Sequence, residues 1–368
     1  MTITSDILLK MLVLGLLCTS VAAQTSAEDH FDAGVALVNK GEISEAVARF
    51  DQAIAIDPYF LEVYFARSEA RTVLEDLPGA IGDLDRVIEL ERTSGRAYYR
   101  RAHLKDRLIA SDLASGKLAE KDEIKRRRKE VLSDLNSAIA YGNTNKETYL
   151  FRGDYYLEHF DNRTAAIDDL SKAIQYDPFD RDLLMKRAAI LQEDGELEEA
   201  AKDLQNVVSQ FDSVVSQGKS NGNGLEPIRA RSVEALHELL KVYEANGQPD
   251  KIRPVLVRLL ELEPTAELYM GLARHDLIHG NIEDALNAYT KAIGMTDARD
   301  RSLGRIYADR AIVYMLLELR SEAEADVAKA KQIDPKLKKF DVKKEAESVS
   351  KRRRFKPKRA DVRNSEQN

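Results

Sequence analysis

Cysteine is nearly absent from this 368-residue chain, with Cys18 as its single instance. Cys18 lies in an N-terminal segment that reads as removable, so the rest of the chain offers no disulfide framework and no thiolate metal site. A cysteine-free body is tolerated in an oxidising compartment. Glycine and proline are also scarce, at 18 and 9 residues, while Ala, Leu, Glu, Lys and Arg are abundant. That balance favours helix over sheet. The six histidines are scattered, and no serine elbow, paired catalytic carboxylates or glycine-rich dinucleotide turn is present. The composition therefore points away from an enzyme and calls for no cofactor.

The N-terminus has Lys10 as a basic flank, Met11–Leu17 as an apolar run and Val21-Ala22-Ala23 as small residues before Gln24. This pattern predicts a secretory signal over 1–23 cleaved after Ala23, and hence a periplasmic or secreted protein. The alternative is a membrane anchor left uncleaved, although the run is short for a span. Charge is unevenly placed. Residues 336–368 hold thirteen Lys and Arg against five Asp and Glu, a balance of +8. With −7 for the whole chain and none from residues 1–23, residues 24–335 carry −15. An acidic body with a basic end speaks to partners rather than to fold.

What the chain does have is a repeat. In Gly41–Pro58 the small residues Ala46 and Ala53 bracket Phe50, and Asp57-Pro58 closes the run. Numbering from Ala27 as position 1, Gly34 is at 8, Gly41 at 15, Ala46 at 20, Phe50 at 24, Ala53 at 27 and Pro58 at 32. The pattern returns from Leu61 with Tyr64, Ala80, Leu84 and Val87, a period of 34. Further windows carry Tyr98 and Ala102; Tyr149, Gly153, Ala166 and Pro178; Ala188, Gly195 and Leu204; Leu240, Gly247 and Pro264; Tyr269, Ala273 and Gly280; and Tyr307, Ala311, Ala323 and Pro335. Small residues at 8, 20 and 27 fit where two helices cross closely. Asp-Pro stops a helix, because the residue before proline disfavours the helical region and proline lacks a donor.

The period and the alternation of small and large positions resemble the tetratricopeptide repeat family. The resemblance covers nearly all of residues 24–335. It implies an all-α solenoid of about eight helical hairpins, stacked as a right-handed superhelix with a concave wall made by the first helix of each hairpin. The expected organisation is hairpins one to five over 24–211, with a helical insertion near 109–131. A flexible linker over 212–228, hairpins six to eight over 229–337 and a basic tail over 338–368 follow. Leu337–Val349 reads as a capping helix at the start of that tail.

Three chemical temptations fail. Gly218-Lys219-Ser220 resembles the end of a phosphate-binding loop, but Ser213 stands where glycine is needed and a helix leads in. His275 and His279 are four apart, yet Asp276 follows the first and no third ligand is evident. Asn162-Arg163-Thr164 is a glycosylation sequon whose use depends on the host. No metal is expected.

In the family the concave wall is lined at positions 2, 5, 9 and 12. Position 5 reads Phe31, Phe65, Tyr99, Leu150, Met185, His237, Met270 and Ala308. Apolar groups on a nominally exposed wall mark binding surfaces; packing against neighbouring helices is the plainer explanation. Acids flank them, with Glu62 and its equivalents at position 2, and Glu69 and Asp154 at position 9. The expected ligand is a protein or peptide segment with apolar anchors and basic flanks. The Lys and Asn of the family's carboxylate clamp are replaced by Phe31 and Val35, then by Phe65 and Glu69. Acidic C-terminal peptides are therefore not the expected ligand. Lys351, Arg352, Arg353, Arg354, Lys356, Lys358 and Arg359, with Lys125–Lys129, form the expected contact for an anionic membrane or polymer. Export and a lone interleaved aromatic, Phe355, speak against nucleic acid. The functional expectation is an exported, non-enzymatic interaction scaffold; a surface tether, or an accessory subunit of an envelope enzyme or secretion complex, are the alternatives.

Overall fold

The structure, a computed structural model, describes residues 26–217 and 225–354. The expected signal segment, the centre of the expected linker, and Lys356, Lys358 and Arg359 lie outside the described residues. Among those described there are seventeen α-helices, one short 3-10 turn and no strand.

The chain forms two compact units that divide between Tyr176 and Asp177. The first holds α1 (Ala27–Lys40), α2 (Ile43–Ile56), α3 (Leu61–Val73), α4 (Leu77–Leu90), α5 (Gly95–Ala114), α6 (Lys121–Ala140), α7 (Lys146–Phe160) and α8 (Arg163–Tyr176). The second holds α9 (Arg181–Asp194), α10 (Leu197–Ser216), α11 (Leu225–Ala245), α12 (Pro249–Leu262), α13 (Ala266–His279), α14 (Ile282–Met295), α15 (Ser302–Leu316) and α16 (Arg320–Ile333). The turn Pro335–Lys339 and α17 (Val342–Arg354) complete it. Odd and even helices pair in sequence, giving four hairpins in each unit.

Local chemistry sets the helix ends. Ser26 and Asp29 form a reciprocal capping box at the start of α1, with hydrogen bonds of 3.0 and 2.7 Å. Gly41 closes α1 at φ +81°, a conformation cheap only for glycine. Helices α2, α8 and α16 each stop one residue before an Asp-Pro pair. Ala46, Phe50 and Ala53 are fully buried on α2, with the Phe50 ring against Gly34 of α1. The added length of the third hairpin is shared by α5 and α6, twenty residues each.

The two units divide after the fourth hairpin. Helix α10 runs on to Ser216, α11 begins at Leu225, and the two pack against each other. The Gly- and Ser-rich run thus joins packed neighbours inside one unit. Beyond 338, where a capping helix over Leu337–Val349 is expected, α17 extends to Arg354 and packs on α15 and α13. Val342, Ala346 and Val349 recur at helical spacing and join the apolar cluster of the last two hairpins, with Ala346 buried.

A second pattern runs through both units. Arg67, Arg101, Arg152, Arg187 and Arg310, all on first helices, each grip a buried aspartate on the second helix of the same hairpin: Asp83, Asp134, Asp169, Asp203 and Asp326. The grip is two-pronged, for example 2.9 and 2.7 Å between Arg152 and Asp169. The spare nitrogen of Arg101 reaches Asp85 of the preceding hairpin at 2.7 Å, and that of Arg152 reaches Asn136 at 2.8 Å. Arg67, Arg101, Arg152 and Arg310 thus tie their own hairpins shut and to the one before.

Candidate functional site

In the first unit the first helices α1, α3, α5 and α7 present the position-5 side chains. Phe31 is half-buried against Phe50 and Phe60, with ring centroids 6.0 and 5.3 Å away. Phe65 is half-buried, and the guanidinium groups of Arg96 and Arg100 lie over its ring at 4.7 and 5.9 Å. Tyr99 meets His103 edge-on at 4.7 Å, and His103 stacks on Phe151 at 4.0 Å. Phe151, Tyr155 and His159 extend this aromatic run along α7, with centroid separations of 5.8 and 4.5 Å. Leu150 is half-buried beside it.

Burial governs the titrating groups here. It pushes the His103 and His159 imidazoles below the ordinary histidine value. It raises the Asp106 carboxyl despite the nearby charges of His159 and Arg128.

The acidic flank expected here is partly neutralised. Glu62 is exposed, but Glu69 pairs with Arg100 and stands 3.6 Å from Arg96. Asp154 is half-buried and engaged. Arg100 and Phe151 escaped the sequence reading because they sit at position 6, beside the position-5 ladder, and His103 because only the acids were singled out at position 9. Arg100, His103 and Arg107 also border a cavity of about 360 Å³ between α3 and α5.

In the second unit Met185 on α9 is half-buried, and His237 on α11 is exposed. Met270 is half-buried in the cluster that α17 joins, and Ala308 is fully buried. Since α17 lies on α13 and α15, it covers part of the first-helix face of the last two hairpins. A cavity of about 660 Å³ opens between α11, α12 and α13, bordered by His237, Leu240, Leu256 and Leu268 among others. His275 and His279 stack at 4.1 Å, with a ring nitrogen of each bonded to a backbone carbonyl, Pro249 at 2.9 Å and His275 at 2.8 Å. Among the described residues no group of three or more side chains could hold a metal ion. No described helix is long and apolar enough to cross a membrane.

Lys351 and Arg352 are exposed near the end of α17, which also contains Arg353 and Arg354. In the other basic run, Arg126 and Arg127 share Glu123, and Arg127 also holds Asp112 at 2.8 Å. That run is therefore less free as an anionic-surface contact than its sequence implies.

The geometry defines an all-α protein of serial two-helix hairpins. With a 34-residue period, small residues at the helix crossings and first-to-second-helix pairing, the hairpins are of the tetratricopeptide kind. No family model matches the chain. It is 35% identical to human tetratricopeptide repeat protein 36 over 107 residues, 29% of this chain and 53% of that protein. It is 29% identical to rat DnaJ homolog subfamily C member 3 over 181 residues, 48% of this chain and 34% of that protein. The chain thus spans between a third and about half of these relatives. Among solved structures, a tetratricopeptide repeat protein from Parabacteroides merdae is 15% identical, with a TM-score of 0.39 covering 76% of this chain and 96% of its own. MamA is 18% identical, with a TM-score of 0.40 over 50% and 96%.

Proposed function

We propose that the protein is a non-enzymatic interaction scaffold that captures a segment of a partner protein along the face of its first helices. The observation that carries this reading is the row Phe31, Phe65, Tyr99 and Leu150. Each side chain is only half-buried, so part of an apolar or aromatic surface stays open on the first helices. The partner segment carries apolar anchors, with basic residues alongside to meet acids such as Glu62. The N-terminal pattern supports export to a periplasm or beyond, with the scaffold acting there.

The test is capture from host envelope extract by the full chain and by a Tyr99→Ala/Leu150→Ala variant shown by circular dichroism to be folded. A protein retained by the first and lost by the second supports the reading. Equal retention by both would remove this face from consideration. Binding that instead falls steeply with added salt and survives the double substitution would favour the tether through the basic end.

A further inference from the structure

The cavity between α11, α12 and α13 differs in kind from the aromatic row of the first unit. Its walls include Leu240, Ile252, Leu256, Leu268 and Ile278. Its size, about 660 Å³, lies within the range of pockets that enclose small ligands or one or two side chains. Three carboxylates border it, Glu244, Glu263 and Glu267, and none has an ion-pair partner among the described residues. Its single arginine, Arg274, is already committed to the buried carboxylate of Asp309 at 3.2 Å. The cavity thus joins an apolar interior to an uncompensated negative border.

Gly271 adds an independent sign. It sits mid-helix in α13, where glycine is less stable than alanine by about 1 kcal/mol. An added Cβ would make only an ordinary contact, 3.6 Å from Leu256 Cδ2. Helix packing therefore does not require glycine there, and its missing side chain leaves the cavity open.

We propose that this cavity binds, in trans, a short extended peptide segment that inserts one aromatic or branched apolar side chain above Gly271. Lysines or arginines on either side of that residue pair with Glu263, Glu267 and Glu244. This rests on the scaffold reading above and moves the specific contact to the second unit. Charge decides the occupant. An acidic peptide would meet three carboxylates, whereas a basic one gains up to three pairings with these exposed groups.

The probe is a fluorescein-labelled peptide, Lys-Lys-Arg-Phe-Lys-Lys, titrated against the full chain by fluorescence anisotropy. Saturable binding is expected, weakened roughly tenfold or more when the peptide phenylalanine becomes alanine. Gly271→Met, which fills the cavity with a better helix former, is expected to weaken binding by a similar factor at unchanged or higher thermal stability. Glu263→Gln/Glu267→Gln is expected to weaken it and flatten its salt dependence.

Equal binding by all three proteins overturns the proposal, as does equal binding of the alanine peptide. Binding lost in Tyr99→Ala/Leu150→Ala but kept in Gly271→Met also overturns it, while leaving the scaffold reading intact. No binding of the probe by any form overturns the assigned ligand chemistry. Binding seen only after truncation at Ser350 would show that the chain's own basic end is the occupant, and would overturn a ligand in trans.

Discussion

Arg67 Nε lies 3.1 Å from both carboxylate oxygens of Asp83, and its Nη1 reaches Asp51 of the preceding hairpin. Asp83 is 2% exposed. One side chain thereby joins three helices, and the same arrangement recurs at Arg101, Arg152 and Arg310 with acceptors on the preceding hairpin. Removing one partner leaves the other buried without its countercharge. Asp83→Asn should destabilise the first unit by about 3 kcal/mol, and Arg67→Met/Asp83→Leu by less, because the buried Arg67 guanidinium is then gone and only Arg71, 3.0 Å from Asp83 and close to Asp76, loses a partner. Urea unfolding of the two variants checks the order; a double variant less stable than the single one would contradict it.

Gly34 and Gly82 are both helical, but their surroundings differ. A Cβ on Gly34 would lie 2.5 Å from the fully buried Phe50 ring, whereas one on Gly82 meets nothing within 4 Å. Gly34→Ala should lower stability by about 1–2 kcal/mol, overpacking outweighing the gain in helix propensity. Gly82→Ala should raise it by about 0.5–1 kcal/mol. Opposite shifts in melting temperature are the expected readout.

His103 provides a pH signature. Its imidazole is held below the ordinary value by burial between Tyr99 and Phe151. As pH falls, the unfolded chain takes up the proton first, at about pH 6.5. Stability is therefore complete above that pH and declines below it, until the folded state is protonated too. His159 acts in the same direction. His103→Phe keeps the stacking and should reduce the loss of stability between pH 7.5 and 5.5, measured by urea midpoints. An unchanged slope would rule out His103 as the source.

Ala346 is the buried point of α17. Ala346→Asp would place a carboxylate against the cluster formed with Ala273, Leu277 and Ile312, at a loss of about 1–3 kcal/mol. Amide exchange in α17 should accelerate roughly tenfold or more, with α1–α4 unaffected. Exchange that stays slow in α17 would mean that its docking does not depend on this contact.

The hairpins were legible because their determinants are local. Gly34, Ala46 and Ala53 mark the close crossing, Gly41 and Asp57-Pro58 mark the ends, and each lies within one 34-residue period. The arginine–aspartate grip was also present in the sequence as a 16-residue spacing, at 67/83, 187/203 and 310/326. The third hairpin stretches it to Arg101/Asp134, which hides the regularity. The packing of α10 on α11 was not legible in the Gly- and Ser-rich run between them, because the faces that meet lie outside that run.

By itself the sequence determined that this chain folds into serial helical hairpins and where most of them begin and end, since helix periodicity, small residues at crossings and caps act over a few turns. Only the tertiary structure decided which of the position-5 side chains stay open. Phe31 is packed by Phe60, Phe65 is covered by Arg96 and Arg100 from the next hairpin, and the face at Met270 and Ala308 is shared with α17. The cavity at Gly271 likewise needs three helices to enclose it. Exposure is a property of what other segments leave uncovered, and those segments lie tens of residues away along the chain.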